Sequence, residues 1–187
     1  MRRRVTRGEF ETFLTLNKTK GWDTEMNNIK TKQMVNGGMI AALYVVLTVL
    51  AAQFNLASGA IQVRFSEALT ILPVFTAAAV PGLAVGCVLA NLLTGCAAWD
   101  VVFGSLATLI GAVGTRMLKN KPLLAWIPPV LSNMAIIPVI LIRVYAVPDA
   151  WWFLVLTIGA GEVLSCGVLG LLLWRAMKEI PVIKAMK

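Results

Sequence analysis

A few ionisable side chains stand inside long apolar runs of this sequence. Glu162 lies midway along the otherwise uncharged stretch 150–174, and Arg64 and Glu67 stand three residues apart, just before another apolar run. A charge at the centre of a membrane span costs about 2.5–3.5 kcal/mol on insertion scales, so such a residue usually has a ligand or a specific partner. These three residues are therefore the first candidates for a binding site.

Five further polar or aromatic residues lie within or at the ends of apolar runs. They are Asn91, Trp99, Asp100, Asn133 and Arg143. The two amides offer both donors and acceptors, which suits recognition of the edge of a heterocycle. The tryptophan offers a flat face for stacking. With Arg64, Glu67 and Glu162 they make up the predicted substrate-binding set.

Each of these residues also has a structural interpretation. Glu67 and Asp100 stand near predicted helix starts, where a carboxylate caps the helix or interacts with its dipole. A protonated Glu162 could bond to a neighbouring helix, and amides inside spans often mediate helix packing. Trp99 could be an interfacial aromatic anchor. The sequence leaves these alternatives open.

The residues needed for common enzyme mechanisms are missing. The chain has no histidine, and it contains no GxxxxGK[ST], HExxH or GxSxG motif. Its three cysteines, Cys87, Cys96 and Cys166, are widely spaced in apolar sequence and show no metal or disulfide pattern. The sequence therefore predicts a protein that is not an enzyme and holds no metal or cofactor of its own.

The elements that carry these residues are predicted to be membrane-spanning helices. Of the 187 residues, 58% are hydrophobic and 14% charged, and the mean hydropathy is +0.79. Because a span needs roughly 20 apolar residues as helix, the uncharged runs predict a single all-α bundle of about six transmembrane helices. Their predicted ranges are 36–56, 67–80, 81–96, 100–119, 123–145 and 150–177.

The distribution of basic residues predicts the orientation of the bundle. Of the seventeen Lys and Arg residues, eight precede the first predicted helix, three lie at 116–121 and four follow Trp174. Since cytoplasmic loops are enriched in Lys and Arg, both termini and the 116–121 loop are predicted to be cytoplasmic, in a multi-pass protein of the plasma membrane. The net charge of +8 then reports topology rather than nucleic-acid binding.

Three regions follow from this pattern. Residues 1–33 are predicted to form a basic cytoplasmic leader that is either disordered or in part a mis-assigned start, and no fold is assigned to it. Residues 34–178 form the six-helix substrate-binding domain, and 179–187 a basic cytoplasmic tail. In the first span, Gly38 and Ala42 have the small-xxx-small spacing that allows a helix to approach closely. This face predicts either internal packing or docking of a partner.

Four segments resemble one transporter family. They read NGGMIAALYVVLT, QVRFSEALTILPVF, PGLAVGCVLANLL and WDVVFGSLATLIGA. Together they are similar to the QueT family of queuosine-precursor substrate-binding (S) components of energy-coupling factor (ECF) ABC transporters, over about residues 33–178. RFSEALTILP and WDVVFGSLATL are the most specific parts.

The resemblance implies a six-helix bundle that docks to a transmembrane coupling protein and two ABC-type ATPases, which would use the ATP. It implies docking through an Ala-x-x-x-Ala pattern in the first helix, which reads Gly38-x-x-x-Ala42 here. It also implies a queuosine precursor, a 7-deazaguanine base or queuine, as cargo. We expect a carboxylate to accept the paired donors of such a base and Arg64, Asn91 or Asn133 to donate to its carbonyl.

Two other functions remain open at this point. An S component for another vitamin would share the fold but not the ligand. A stand-alone secondary carrier would need no ATPase, although the sequence shows no inverted repeat typical of many such carriers.

Overall fold

A computed structural model describes residues 7–54 and 64–180, with side chains from Asn27 onward. The start of the leader, residue 56 at the predicted end of the first span, and most of the basic tail lie outside the described residues. The chain divides into two compact units, Met1–Val35 and Asn36–Lys187. In the first unit the described side chains, 27–35, are exposed.

The described residues form helices and no strand, as the sequence predicted. Four segments are long and apolar enough to cross a membrane, and two shorter apolar helices accompany them. In chain order the elements are α1 (Arg7–Gln53), a 3-10 helix (Phe65–Val74), α2 (Ala79–Leu93), α3 (Ala98–Met117), a short 3-10 turn (Pro122–Leu124), α4 (Ile127–Arg143), α5 (Trp151–Glu162), a π-helical segment (Val163–Leu169) and α6 (Gly170–Met177). The last three together form one span, Trp151–Met177.

The structure corrects the second and third predicted helices. The second is a 3-10 helix that ends at Val74, whereas the sequence predicted a helix to residue 80. Pro81, at which the third helix was predicted to begin, lies inside α2, which begins at Ala79. A proline is tolerated there because the first turn of a helix has no intrahelical partner for its N–H groups. Helix α1 begins at Arg7, within the leader to which the sequence assigned no fold.

Helices α1 and α2 pack through small residues. A Cβ atom added at Gly82 would lie 2.6 Å from the carbonyl oxygen of Gly37, and one at Gly86 would lie 3.0 Å from the Cα atom of Ala41. The two backbones therefore approach closely, as small-xxx-small faces allow. Tyr44, three residues after Ala41, is buried in a core cluster with Leu83 and Cys87 of α2. This contact places the phenol of Tyr44 inside the bundle.

Helices α3 and α4 also pack closely. A Cβ atom at Gly111 would lie 2.6 Å from Cα of Pro129, and one at Gly114 would lie 2.5 Å from Cβ of Pro128. Close packing at this end holds the start of α4 against the end of α3. The opposite ends of these two helices, which carry Asp100 and Tyr145, border a cavity.

Candidate ligand-binding site

A cavity of about 440 Å³ lies where α1, α2 and α4 end and α3 begins. Its apolar wall includes Ile137, Ile140 and Leu141 of α4. Its polar lining consists of Thr48, Arg64, Asn91, Thr94, Asp100 and Tyr145. An apolar cavity with a few convergent polar groups is the usual form of a small-molecule site. Its size and lining suit a small, flat, polar ligand.

A buried carboxylate, Glu67, lies close to this cavity but does not line it. Its side chain is 1% exposed, and Tyr44 donates a hydrogen bond to its Oε1 atom at 2.5 Å. Its Oε2 atom is buried and has no hydrogen-bond partner among the described residues. Because an unpaired buried polar atom is costly, Glu67 has unused capacity to accept a hydrogen bond.

A second carboxylate, Glu162, lies next to Glu67. The Cys166 Sγ atom is 3.2 Å from Glu162 Oε2 and 3.5 Å from the backbone oxygen of Glu67. Asn133 of α4 is buried near this carboxylate. Glu162 is 7% and Asn133 4% exposed. The two acids, which are 95 positions apart in sequence, thus belong to one buried polar cluster.

Two irregular helical segments bring these acids together. Glu67 lies in the 3-10 helix, and Glu162 is the residue that precedes the π-helical segment. The Arg64 backbone N–H donates to Ser165 Oγ at 3.2 Å, and the Thr70 hydroxyl donates to Cys166 Sγ at 3.4 Å. Short π-helical segments occur frequently at functional sites because they re-aim side chains within a helix. Here the segment directs Ser165 and Cys166 toward the 3-10 helix.

Arg64 interacts electrostatically with three acids of this region. Its guanidinium is attracted by Glu67 and Asp100 and also interacts with Glu162. Among the described residues, none of these acids forms an ion pair with it within 4.0 Å. Three carboxylates therefore share one guanidinium without close pairing.

Tyr145, just after α4, joins the end of this helix to the start of α3 beside the cavity. Its hydroxyl donates to Asp100 Oδ2 at 3.2 Å and accepts from the backbone N–H of Ala97 at 3.1 Å. Partial burial, and then the nearby Asp100, raise the pKa of the Tyr145 phenol above its ordinary value. The phenol therefore remains protonated and can keep donating to Asp100 at neutral pH.

The structure separates the predicted site residues into three groups. Arg64, Asn91 and Asp100 line the cavity. Glu67, Asn133 and Glu162 are buried and do not line it. The third group, Trp99 and Arg143, lines a different groove of about 450 Å³ between α3 and α4.

Within that groove Trp99 stacks on Phe103, with 5.7 Å between ring centroids, and remains 61% exposed. The structure therefore does not bring the Trp99 ring to the cavity. Tyr145 is the aromatic residue that lines the cavity instead.

Sequence reasoning missed Tyr44 and Cys166 as polar partners of the acids. Tyr44 carried a usable signal, because it follows Gly37 and Ala41 at helical spacing and so shares their packing face. Cys166 stands four residues after Glu162 and so lies near it on the same helix face, but a lone cysteine in an apolar run usually packs as a small residue.

The described residues also form one group that could hold a metal ion. A carboxylate oxygen of Glu67, one of Glu162 and the Cys166 Sγ atom all lie within 4.8 Å of one another. Oxygen and thiolate ligands of this kind suit a divalent transition metal. The expectation that the chain holds no metal stays a prediction.

Comparison with known proteins identifies the family. The model of the QueT transporter family matches residues 34–179. The chain belongs to the QueT transporter family. Its family is one of transporters, not enzymes, the described helices fit a multi-pass membrane protein, and the resemblance seen in the sequence is confirmed. The residues lining the cavity all lie within the matched range.

A curated relative covers part of the chain. The queuosine precursor transporter QueT of Lactococcus lactis subsp. cremoris is 35% identical over 86 residues. That alignment covers 46% of this chain and 50% of the relative, so the similarity spans about half the length of each protein. No solved structure matches the chain.

Proposed function

We propose that this protein is the substrate-binding (S) component of an ECF-type ABC importer, and that it captures a queuosine precursor, a 7-deazaguanine base or queuine, from outside the cell. The observation that carries the proposal is the cavity lined by Arg64, Asn91 and Asp100 in a chain of the QueT transporter family. The name of the Lactococcus relative supports the choice of cargo.

The chemistry of the cavity suits such a base. A deazaguanine presents a ring N–H beside an exocyclic amine, and a carboxylate accepts this donor pair through two parallel hydrogen bonds. Asp100 is the carboxylate that lines the cavity and would accept this pair, whereas Glu67 is buried close to the cavity without lining it. Arg64 and the Asn91 amide line the cavity, where they would donate to the carbonyl of the base.

The orientation proposed here places the cavity at the outer face and both termini in the cytoplasm. The end of the second unit opposite the cavity has a groove of about 840 Å³ lined by Arg116 and Lys119, among others. Basic residues favour the cytoplasmic side. With this orientation, substrate enters from outside and the basic end faces the cell interior, in the plasma membrane.

Docking to a coupling protein and two ABC-type ATPases would occur through the Gly38–Ala42 face of α1. Gly37 and Ala41 are buried against α2, whereas Gly38 and Ala42 are exposed, and a Cβ atom at Gly38 would meet nothing within 4 Å. The face that carries the family's docking pattern is therefore free of internal contacts among the described residues. ATP would be used by those partners.

Uptake in a host without its own coupling module tests the energised mechanism. We expect the chain with a cognate coupling protein and ATPases to import a labelled precursor, and the chain alone to bind it without import. The Ala42→Leu variant should lose import but keep binding, with the Leu43→Ala variant, also exposed on α1, as the control. ATP-independent import by the chain alone would instead favour a secondary carrier.

A further inference from the structure

Asp100 is held at the cavity wall by contacts on several sides. Its side chain is 7% exposed and lines the cavity. Its Oδ2 atom accepts a hydrogen bond from the Tyr145 hydroxyl at 3.2 Å, and its backbone oxygen accepts one from Asn91 Nδ2 at 3.3 Å. Its Oδ1 atom has no hydrogen bond within the described residues. Because each carboxylate oxygen has two lone pairs, both oxygens can still accept from a ligand.

The end of α4 places the Tyr145 hydroxyl beside this carboxylate. Ala146 has a φ of +50°, and the Val147 N–H donates to the backbone oxygen of Leu141 at 3.1 Å, as in helices that end on a left-handed residue. The Tyr145 hydroxyl also accepts from the Ala97 N–H at 3.1 Å. Two hydrogen bonds and the helix end therefore fix the phenol against the start of α3.

Gly104, one turn after Asp100 on α3, leaves room for two polar groups of the cavity wall. A Cβ atom at Gly104 would lie 3.2 Å from Asp100 Oδ1 and 3.3 Å from Asn91 Nδ2. Non-bonded atoms of side chains prefer larger separations, about 3.5–4.0 Å between carbons, so one or both groups would have to move. A glycine inside a helix is less favourable than alanine. The positions of Asp100 and Asn91 give a reason for it here.

The orientation of the carboxylate matters for recognition. Two neighbouring N–H groups of a ligand bond to both oxygens of a carboxylate only when the two groups meet in the right geometry. A site that hydrogen-bonds a substrate N–H strongly rejects an analogue that lacks it, because a buried polar group is then left unpaired. A fixed Asp100 carboxylate can therefore discriminate between ligands that differ by one donor.

We propose that Tyr145 and Gly104 are positioning residues that act through Asp100 and determine the selectivity of the cavity. This inference rests on the proposed function, in which Asp100 accepts the paired donors of the base. The favoured class is a base that carries an exocyclic amine beside a ring N–H. The disfavoured class is the same base without that amine.

Paired titrations of the purified full chain test the selectivity. The probes are queuine, 7-cyano-7-deazaguanine and 7-aminomethyl-7-deazaguanine, each compared with its analogue that lacks the exocyclic amine. We expect every base that binds to do so at least ten times more tightly than its analogue, about 1.4 kcal/mol. Equal affinities within each pair would overturn the inference.

The variants Tyr145→Phe and Gly104→Ala should each reduce this ratio to threefold or less, because Asp100 is then no longer held in place. Gly170→Ala is the control, since its Cβ would lie 3.5 Å or more from its neighbours and Gly170 does not line the cavity. A merely structural role would lower the melting temperature, or both affinities together, and leave the ratio unchanged.

The two variants also guard against a folding defect. Tyr145→Phe removes a single hydroxyl group, so it tests the inference even if the melting temperature shows that Gly104→Ala does not fold. A folded variant that keeps the wild-type ratio would show that the residue does not position Asp100.

The two proposals fail in different ways. If none of the bases binds the folded wild-type chain, the proposed function fails together with the inference. If a base binds but the ratio is the same in the wild type and in both folded variants, the proposed function stands and only the positioning role is wrong.

Discussion

At the scale of single residues, Arg64 and Glu67 have different environments despite their closeness in sequence. Arg64 lines the cavity, whereas Glu67 is buried and bonded to Tyr44. The sequence predicted both as members of one binding site, and the structure separates them into a wall residue and a buried residue. This separation follows from the 3-10 helix, which begins at Phe65 and turns Glu67 toward α1.

The first prediction concerns these two residues. Arg64→Ala and Glu67→Gln should each weaken binding of a 7-deazaguanine at least tenfold, about 1.4 kcal/mol. The first removes a hydrogen-bonding group from the cavity wall, and the second disturbs the buried hydrogen bond between Tyr44 and Glu67 next to it. Titration calorimetry in detergent measures the change. Arg175→Ala, an exposed substitution in the last turn of α6, serves as the control. Unchanged affinity in both variants would exclude them from the site.

How far the sequence could predict the site differs between residues. Arg64, Asn91 and Asp100 were accessible to prediction because a polar group in an apolar run requires an explanation. Trp99 was grouped with Asp100 because the two are neighbours in sequence. Consecutive residues of a helix point about 100° apart, so Trp99 lies in the neighbouring groove while Asp100 lines the cavity.

At the scale of elements, two helical segments depart from α geometry, and the sequence indicated neither. Residues 65–74 form a 3-10 helix and 163–169 a π-helical segment. Apolar periodicity cannot distinguish these forms here, since segments of 10 and 7 residues are too short to separate the helical periods. Tertiary contacts, such as Arg64 N–H to Ser165 Oγ, accompany them, and such contacts join residues far apart in sequence.

The small-residue faces of α1 give the second prediction. Gly82→Ala should destabilise the protein by about 1–3 kcal/mol, because the new Cβ would lie 2.6 Å from the carbonyl oxygen of Gly37 and close packing does not accommodate it without strain. Thermal unfolding in detergent, followed by circular dichroism, measures the loss as a lower melting temperature.

Gly38→Ala is the matched control for that prediction. The added Cβ meets open space, and alanine favours a helix over glycine by about 1 kcal/mol, so the melting temperature should stay the same or rise. A loss of stability in Gly38→Ala equal to that in Gly82→Ala would contradict the packing described for α1 and α2. The sequence predicted close packing on α1 but could not choose between its two neighbouring small-residue faces.

At the scale of the whole molecule, the six-helix prediction and the described helices agree in type and order. Long uncharged runs predict spans well, because a membrane requires every backbone group to be bonded within a helix. The two short apolar helices, Phe65–Val74 and Ala79–Leu93, were harder to delimit from sequence. No charge separates them, and Pro81 indicated a break a few residues from the one observed.

The proposed orientation gives the third prediction. With Cys96 replaced by serine and the remaining native cysteines buried, single cysteines at Asp149 and Asn120 report opposite ends of the second unit. An impermeant maleimide should label Asp149→Cys in intact cells and Asn120→Cys only after permeabilisation, because the basic 116–121 loop is proposed to be cytoplasmic. The reverse pattern would place the cavity on the inside.

The central claim, that this chain alone captures a queuosine precursor, is tested most directly by its affinity for one. The measurement is a titration of the purified, folded chain, without any ATPase, with queuine and the 7-aminomethyl and 7-cyano deazaguanines, with guanine, thiamine, biotin and folate as controls. The account predicts submicromolar binding of at least one deazaguanine and no such binding of guanine, thiamine, biotin or folate. Tight binding of a control vitamin, or no binding of any deazaguanine, would contradict it.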